Sequence, residues 1–194
     1  MTELSTLLPR VQPFVTDCPV GVLHDAIRRA ASQFARESGC WREELTVDSV
    51  QDQSDYNINV LHEHENVNVR RCKRVWYGDA EVFDNLGLWN VSEGVLSFSS
   101  APAASGDEIK VCAVLVGSRL CTEIADVVFD LYGDGIADLA LYLVMNVPNR
   151  PYTDVKAAQQ SYAHYNALLN EAKRVAEGDG ERSGDLVNPM QEYF

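Results

Sequence analysis

Two prolines, Pro148 and Pro151, interrupt what is otherwise one helical pattern running from Arg119 to Gly178. On the near side lies RLCTEIADVVFDLYGDGIADLALYLVMNVP, and on the far side YTDVKAAQQSYAHYNALLNEAKRVAEG. Proline inside a helix removes an amide donor and clashes with the preceding turn, so neither segment can cross this point. A linker this short leaves two long helices only an antiparallel contact. Thr153 is the expected N-cap of the second helix and Gly178 its end. Along it, Val155, Ala158, Tyr162, Tyr165, Leu169, Ala172 and Ala176 form a near-heptad apolar stripe.

Upstream the period changes twice. Residues 1–16 carry two prolines and little periodicity, and are expected to form an extended arm. Asp17 is then a candidate cap for a helix whose apolar face is Leu23, Ala26, Ile27, Ala30 and Phe34, with Gly39 as its C-terminal stop. Beyond Trp41, a side chain suited to anchoring the core, apolar residues alternate. EELTVDSV, DYNINV, NVNVRRCKRVWYGD, AEVFDN, EGVLSFSSAP and DEIKVCAVLVG all read as strands, with a turn at Gly78-Asp79. The last two are expected to pair with each other. Ile109, Val111, Ala113 and Leu115 should share one face of the final strand.

The fold class that follows is α+β. A helical bundle from 1–42 and 117–178 (the N-terminal helix plus a C-terminal antiparallel hairpin) carries an inserted antiparallel β domain at 43–116. Residues 179–194 form an extended tail. Its tip, Leu186, Val187, Asn188, Pro189, Met190, Tyr193 and Phe194, turns abruptly apolar after a charged, Gly-rich stretch.

The stretch FDLYGDGIADL offers two readings. Asp130, Asp134 and Asp138 stand where a Gly-bent calcium loop places its first, fifth and ninth ligands. The third ligand position is Tyr132, a poor calcium donor. The same spacing is one stripe of a helix. Gly133 and Gly135 cost such a helix about 1 kcal/mol each. Burial of Ile124, Val127, Val128, Leu131, Leu139, Leu143 and Val144 is worth roughly 1.5–3 kcal/mol per large side chain, so the helix outweighs the loop. The glycines then mark a place where another helix approaches the backbone. A calcium-dependent binding module using the three aspartates is the alternative function.

Other chemistry is sparse. The net charge of −13 argues against non-specific wrapping of nucleic acid, although a duplex could pass close by without being held. Arg70, Arg71, Lys73 and Arg74 form the one basic cluster, suited to guarding a strand edge or to docking acidic neighbours. His62 and His64 could meet a metal from one strand face, but no third ligand is visible, so no metal is assigned. His24 and His164 are expected to face solvent. The five cysteines have no C-x-x-C spacing, which favours reduced thiols and synthesis in a cytosol. No stretch reads as a signal peptide or a membrane span. There is no nucleophile elbow, catalytic triad or phosphate loop, so no enzyme activity and no cofactor are expected.

Two stretches carry a family resemblance. LLPRVQPFVTDCPVGVLHDAIRRAASQFARESGCWREEL resembles the opening of tailed-bacteriophage head-to-tail connector proteins, or adaptors: a Pro-containing arm, then a helix ending in a Cys-Trp pair, then strands. EIADVVFDLYGDGIADLALYLVMNVPNRPYTDVKAAQQSYAHYNALLNEAKR resembles their closing helical pair, with Tyr132-Gly133, an Ala-rich half, the Met145-to-Pro148 turn and a last long helix. In order and size the chain is similar to the tail tubular protein A type. The resemblance implies a structural part of the virion neck, made in the host cytoplasm, that forms a ring, typically a dodecamer, beneath the portal protein. The C-terminal tail would reach the portal, and the other end would receive a stopper or tail-tube component. DNA would only pass through the channel. Asp130, Asp134, Asp138, Arg70, Arg71, Lys73 and Arg74 become candidates for the copy-to-copy interface or the channel wall.

Overall fold

The computed structural model describes residues 1–82 and 87–178. The chain begins with β1 (Thr2–Glu3), a short helical turn α1 (Leu8–Val11) and the long α2 (Val20–Ser38). The strands β2 (Arg42–Asp48), β3 (Asp55–Asn57), β4 (Val67–Tyr77), β5 (Ala80–Val82), β6 (Trp89–Ser92), β7 (Val95–Phe98), β8 (Glu108–Gly117) and β9 (Glu123–Ile124) follow. Two long helices come next, α3 (Asp126–Met145) and α4 (Val155–Gly178). The class is α+β, and among the described residues every strand pairing is antiparallel.

The N-terminal segment is not an extended arm. After β1 pairs with β9, residues 4–14 coil into short helical turns that bury Leu4, Leu7 and Val11, and Val15 is buried just beyond. Those four positions repeat at helical spacing. Pro9 and Pro13 fall in the first turn of successive turns, where a missing amide hydrogen costs nothing. The start of α2 also differs from expectation: Pro19 occupies the capping position with no side-chain hydrogen bond, so Asp17 caps nothing. The far end is as expected, with Gly39 at φ 63° and its amide bonded to Ala35 O at 3.0 Å. In α4 the cap is Asp154, whose Oδ1 accepts from Ala157 N at 3.0 Å. Thr153 instead ties the preceding turn, accepting from Arg150 N and donating to Val147 O.

β8 is the centre of a four-stranded sheet in the order β2-β8-β4-β5. Ile109, Val111, Ala113 and Leu115 are fully buried on it, as the alternation predicts. Its partners are β2 and β4, not β7. β7 belongs to a separate three-stranded sheet, β3-β7-β6. The reason is local. Glu93 and Gly94 both take positive φ, 53° and 78°, and close a tight hairpin that commits β7 to β6. A two-residue turn at Gly78-Asp79, with Gly78 alone at positive φ (58°), joins β4 to β5.

Helices and sheet share one apolar cluster. Leu23, Ile27 and Phe34 of α2, Ile109 and Leu115 of β8, Ile136 and Leu139 of α3 and Tyr165 of α4 all lie in it, each 1% exposed or less. Trp41 is 3% exposed, and its carbonyl accepts from Leu115 N at 2.9 Å. Ser32 Oγ, buried on α2, donates to Gly117 O at 2.7 Å, which locks helix to strand. Phe34 meets the rings of Tyr132 and Tyr165 at 5.3 and 6.1 Å, so one residue of α2 touches both later helices. The inner face of α3 is rotated from the expected one. Val128, Tyr132, Ile136 and Leu139 are buried, whereas Val127 and Leu131 are 43% and 62% exposed. In a helix that is apolar nearly all round, spacing cannot say which side faces in.

Candidate functional site

The three aspartates lie within the unbroken helix α3. Neither Gly133 nor Gly135 takes a positive φ, so the backbone there is not the bent ligand loop of a calcium site. The glycines mark close approaches, as the helical reading requires. A Cβ on Gly135 would stand 3.2 Å from Leu168 Cδ1 and 3.4 Å from Phe34 Cε2. One on Gly133 would meet Arg10 Nη1 at 3.3 Å.

The carboxylates face different partners. Arg10 Nη1 donates to Asp134 Oδ1 at 2.6 Å, and the same guanidinium lies over the Phe129 ring. Both side chains of that pair are largely exposed, so it stabilises by about 1 kcal/mol or less. Asp138 Oδ2 meets His164 Nδ1 at 2.5 Å, joining α3 to α4, so His164 does more than face solvent. Burial raises the Asp138 carboxyl, opposed by His164 beside it. Asp130 is exposed. Two members of the acidic stripe thus act as ties to the N-terminal turns and to α4. Among the described residues, no three His, Cys, Asp or Glu side chains gather as a metal-binding group.

The basic cluster falls on two β-bulges. Val69 opposes Leu115 and Arg71 opposes Val114, which leaves Arg70 as an extra residue. Cys72 opposes Ala113 and Arg74 opposes Cys112, so Lys73 is the second extra residue. A bulge bends its strand and re-aims side chains, and here it breaks the alternation that would have put neighbouring cations on opposite faces. Arg71 packs against Gly39, where an added Cβ would stand 2.6 Å from its Nη2. Arg74 Nε lies 3.8 Å from Glu81 Oε1. Burial and the neighbouring Arg71 and Arg42 lower the Lys73 ammonium, against the pull of Glu177.

Arg42 was not a sequence candidate, yet it is a hub. It donates to Gly39 O from Nε at 3.1 Å and from Nη2 to Ala176 O. The second bond caps the C-terminal end of α4, where carbonyls lack partners and the helix dipole is negative. Two further arginines, Arg36 of α2 and Arg119 after β8, join Arg70 around an open cavity of about 580 Å3. They come from three distant parts of the chain, so no local pattern marks them.

His62 and His64 do come together. Their rings stack 5.8 Å apart, and His64 Nε2 lies 3.0 Å from Glu43 Oε2. Both nitrogens of His62 are buried, with no hydrogen-bond partner among the described residues. Burial and the neighbouring His64 lower the His62 imidazole, and Glu43 opposes the shift. All five cysteines are free thiols; burial, reinforced by Cys112, pushes Cys72 up to about 12, which disfavours its thiolate. The apolar tip Leu186, Val187, Asn188, Pro189, Met190, Tyr193 and Phe194 lies outside the described residues. No family model matches the chain, and no curated protein matches it in sequence.

Proposed function

We propose that the chain is a structural connector of a phage neck, acting by assembly rather than by catalysis. In this reading copies form a ring beneath a portal protein, the other end receives a stopper or tail-tube component, and DNA passes through without being held. The observation that carries the reading is one face of α3. Val127 and Leu131 are exposed there beside the exposed Asp130 and Asp134. An outward strip mixing apolar and acidic residues suits burial against a second copy that presents cations.

The fold supports it further. The pairs Gly135 with Leu168, Asp138 with His164 and Tyr142 with Tyr162 descend α4 as they climb α3, in keeping with a helical hairpin. Phe34 bridges α2 to both, in keeping with a bundle. The net charge of −13 suits a channel that lets DNA slide. Residues 179–194 follow directly after the end of α4 that Arg42 caps, and their apolar tip provides anchors for a partner.

The test is deletion of 180–194. The shortened protein is expected to keep the circular dichroism and melting of the full chain while failing to join portal-bearing heads. Normal docking by the shortened protein refutes the tail assignment. Absence of the chain from the head–tail junction of purified particles refutes the connector reading as a whole.

A further inference from the structure

The chain has 29 acidic residues against 16 lysines and arginines, so a cation without a carboxylate partner is the unusual case. Three such cations meet at one cavity. Arg36, Arg70 and Arg119 line the space of about 580 Å3 between α2, the first bulge of β4 and the turn after β8. Among the described residues, none of the three is in an ion pair. Among the described residues, Glu93 is the single carboxylate on the wall, so three positive charges face one negative there.

The frame beneath these guanidiniums is tied down. Ser32 Oγ holds α2 to Gly117 O at 2.7 Å. Ser118 N donates to Asn66 O at 2.7 Å, and Ser118 Oγ accepts from Leu120 N at 3.2 Å, which fixes the turn carrying Arg119. Asn59 Oδ1 accepts from Val69 N at 2.7 Å and so anchors the strand immediately before Arg70. The backbone is therefore held in place while, among the described residues, no hydrogen bond or ion pair engages the guanidiniums of Arg36, Arg70 and Arg119.

We propose that this cavity is a binding site for the phosphate group of a small ligand. A carboxylate offers two oxygens in one plane and satisfies a single guanidinium fork. Three guanidiniums from different elements on one wall offer more donors than a planar carboxylate can use, and a tetrahedral oxyanion, whose oxygens point several ways, can use them. The volume lies within the range of small-molecule sites and is larger than a lone phosphate needs. A long polyanion is disfavoured because the −13 charge of the chain repels it outside the cavity. The site is independent of the connector reading, since it involves neither the tail nor the exposed strip of α3.

The test is titration of inorganic pyrophosphate into the full-length protein, followed by calorimetry and thermal melting, with sodium chloride at matched ionic strength as the control. Saturable binding and a raised Tm are expected with pyrophosphate alone. Each of Arg36→Gln, Arg70→Gln and Arg119→Gln should weaken binding roughly tenfold, as expected for loss of a charge-assisted hydrogen bond. Because these side chains are exposed, the variants should melt like wild type in chloride, and Arg70→Lys should bind with intermediate strength. An equal response to chloride, or full binding by the triple Gln variant, overturns the site. A single-stranded oligonucleotide that binds more tightly than pyrophosphate through the same arginines overturns the small-ligand assignment in favour of a strand site.

Discussion

Replacing the two glycines of α3 by alanine, one at a time, should separate helix propensity from helix packing. Both positions are helical with ordinary φ, so alanine gains about 1 kcal/mol of intrinsic preference at either. The surroundings then decide. At Gly133 the nearest atom is the end of the Arg10 side chain, which can swing aside into solvent, so most of that gain should survive. At Gly135 the new methyl would sit 3.2 and 3.3 Å from Cδ1 and Cβ of the partly buried Leu168 and 3.4 Å from the fully buried Phe34. Overpacking of this kind costs about 1–3 kcal/mol. Gly135→Ala should therefore range from neutral to about 2 kcal/mol destabilising, while Gly133→Ala stabilises by roughly 0.5–1 kcal/mol. Urea unfolding monitored by circular dichroism reads both. If Gly135→Ala stabilises as much as Gly133→Ala, α4 does not approach α3 as closely as argued, and the account of why this helix tolerates two glycines fails.

Arg42→Gln should cost about 1–2 kcal/mol by uncapping α4 and releasing Gly39 O, with hydrogen-exchange protection falling in the last turn of α4 and at the Gly39 end of α2. Ser32→Ala should cost about 1–2 kcal/mol in urea unfolding, since it removes the buried bond between α2 and β8. His62 gives a pH dependence of definite sign. Its proton affinity is lowered in the fold from the ordinary 6.5, so the unfolded chain binds the proton more readily. Its stabilising contribution is complete above pH 6.5 and is lost as pH falls toward the lower folded value. Relative to His62→Asn, wild type should lose stability between about pH 7 and 5 in parallel urea titrations, and a flat difference would contradict the buried, unpartnered imidazole.

The Pro148–Pro151 break, the helical character of the acidic stretch, the Gly39 stop and the buried face of β8 were all legible from residue spacing, because each depends on neighbours within a few positions. Residue spacing starts a strand at Glu93 and marks none over Trp89–Ser92, so it misses the Glu93-Gly94 hairpin and gives β7 the wrong partner. Apolar residues at 4, 7, 11 and 15 carried the helical signal of the N-terminal turns, masked by two prolines that in fact sit where helices accept them.

By itself, the sequence determined which segments coil and which extend, since hydrophobic period, proline geometry and glycine caps act within one or two turns. Only the tertiary structure decided which face of α3 turns inward, which carboxylate meets Arg10 or His164, and that Arg36, Arg70 and Arg119 border one cavity. Those outcomes depend on bulges and helix packing that bring residues far apart in the chain side by side. Charge and hydrogen-bond energies fall off with distance in space, and sequence separation does not report that distance.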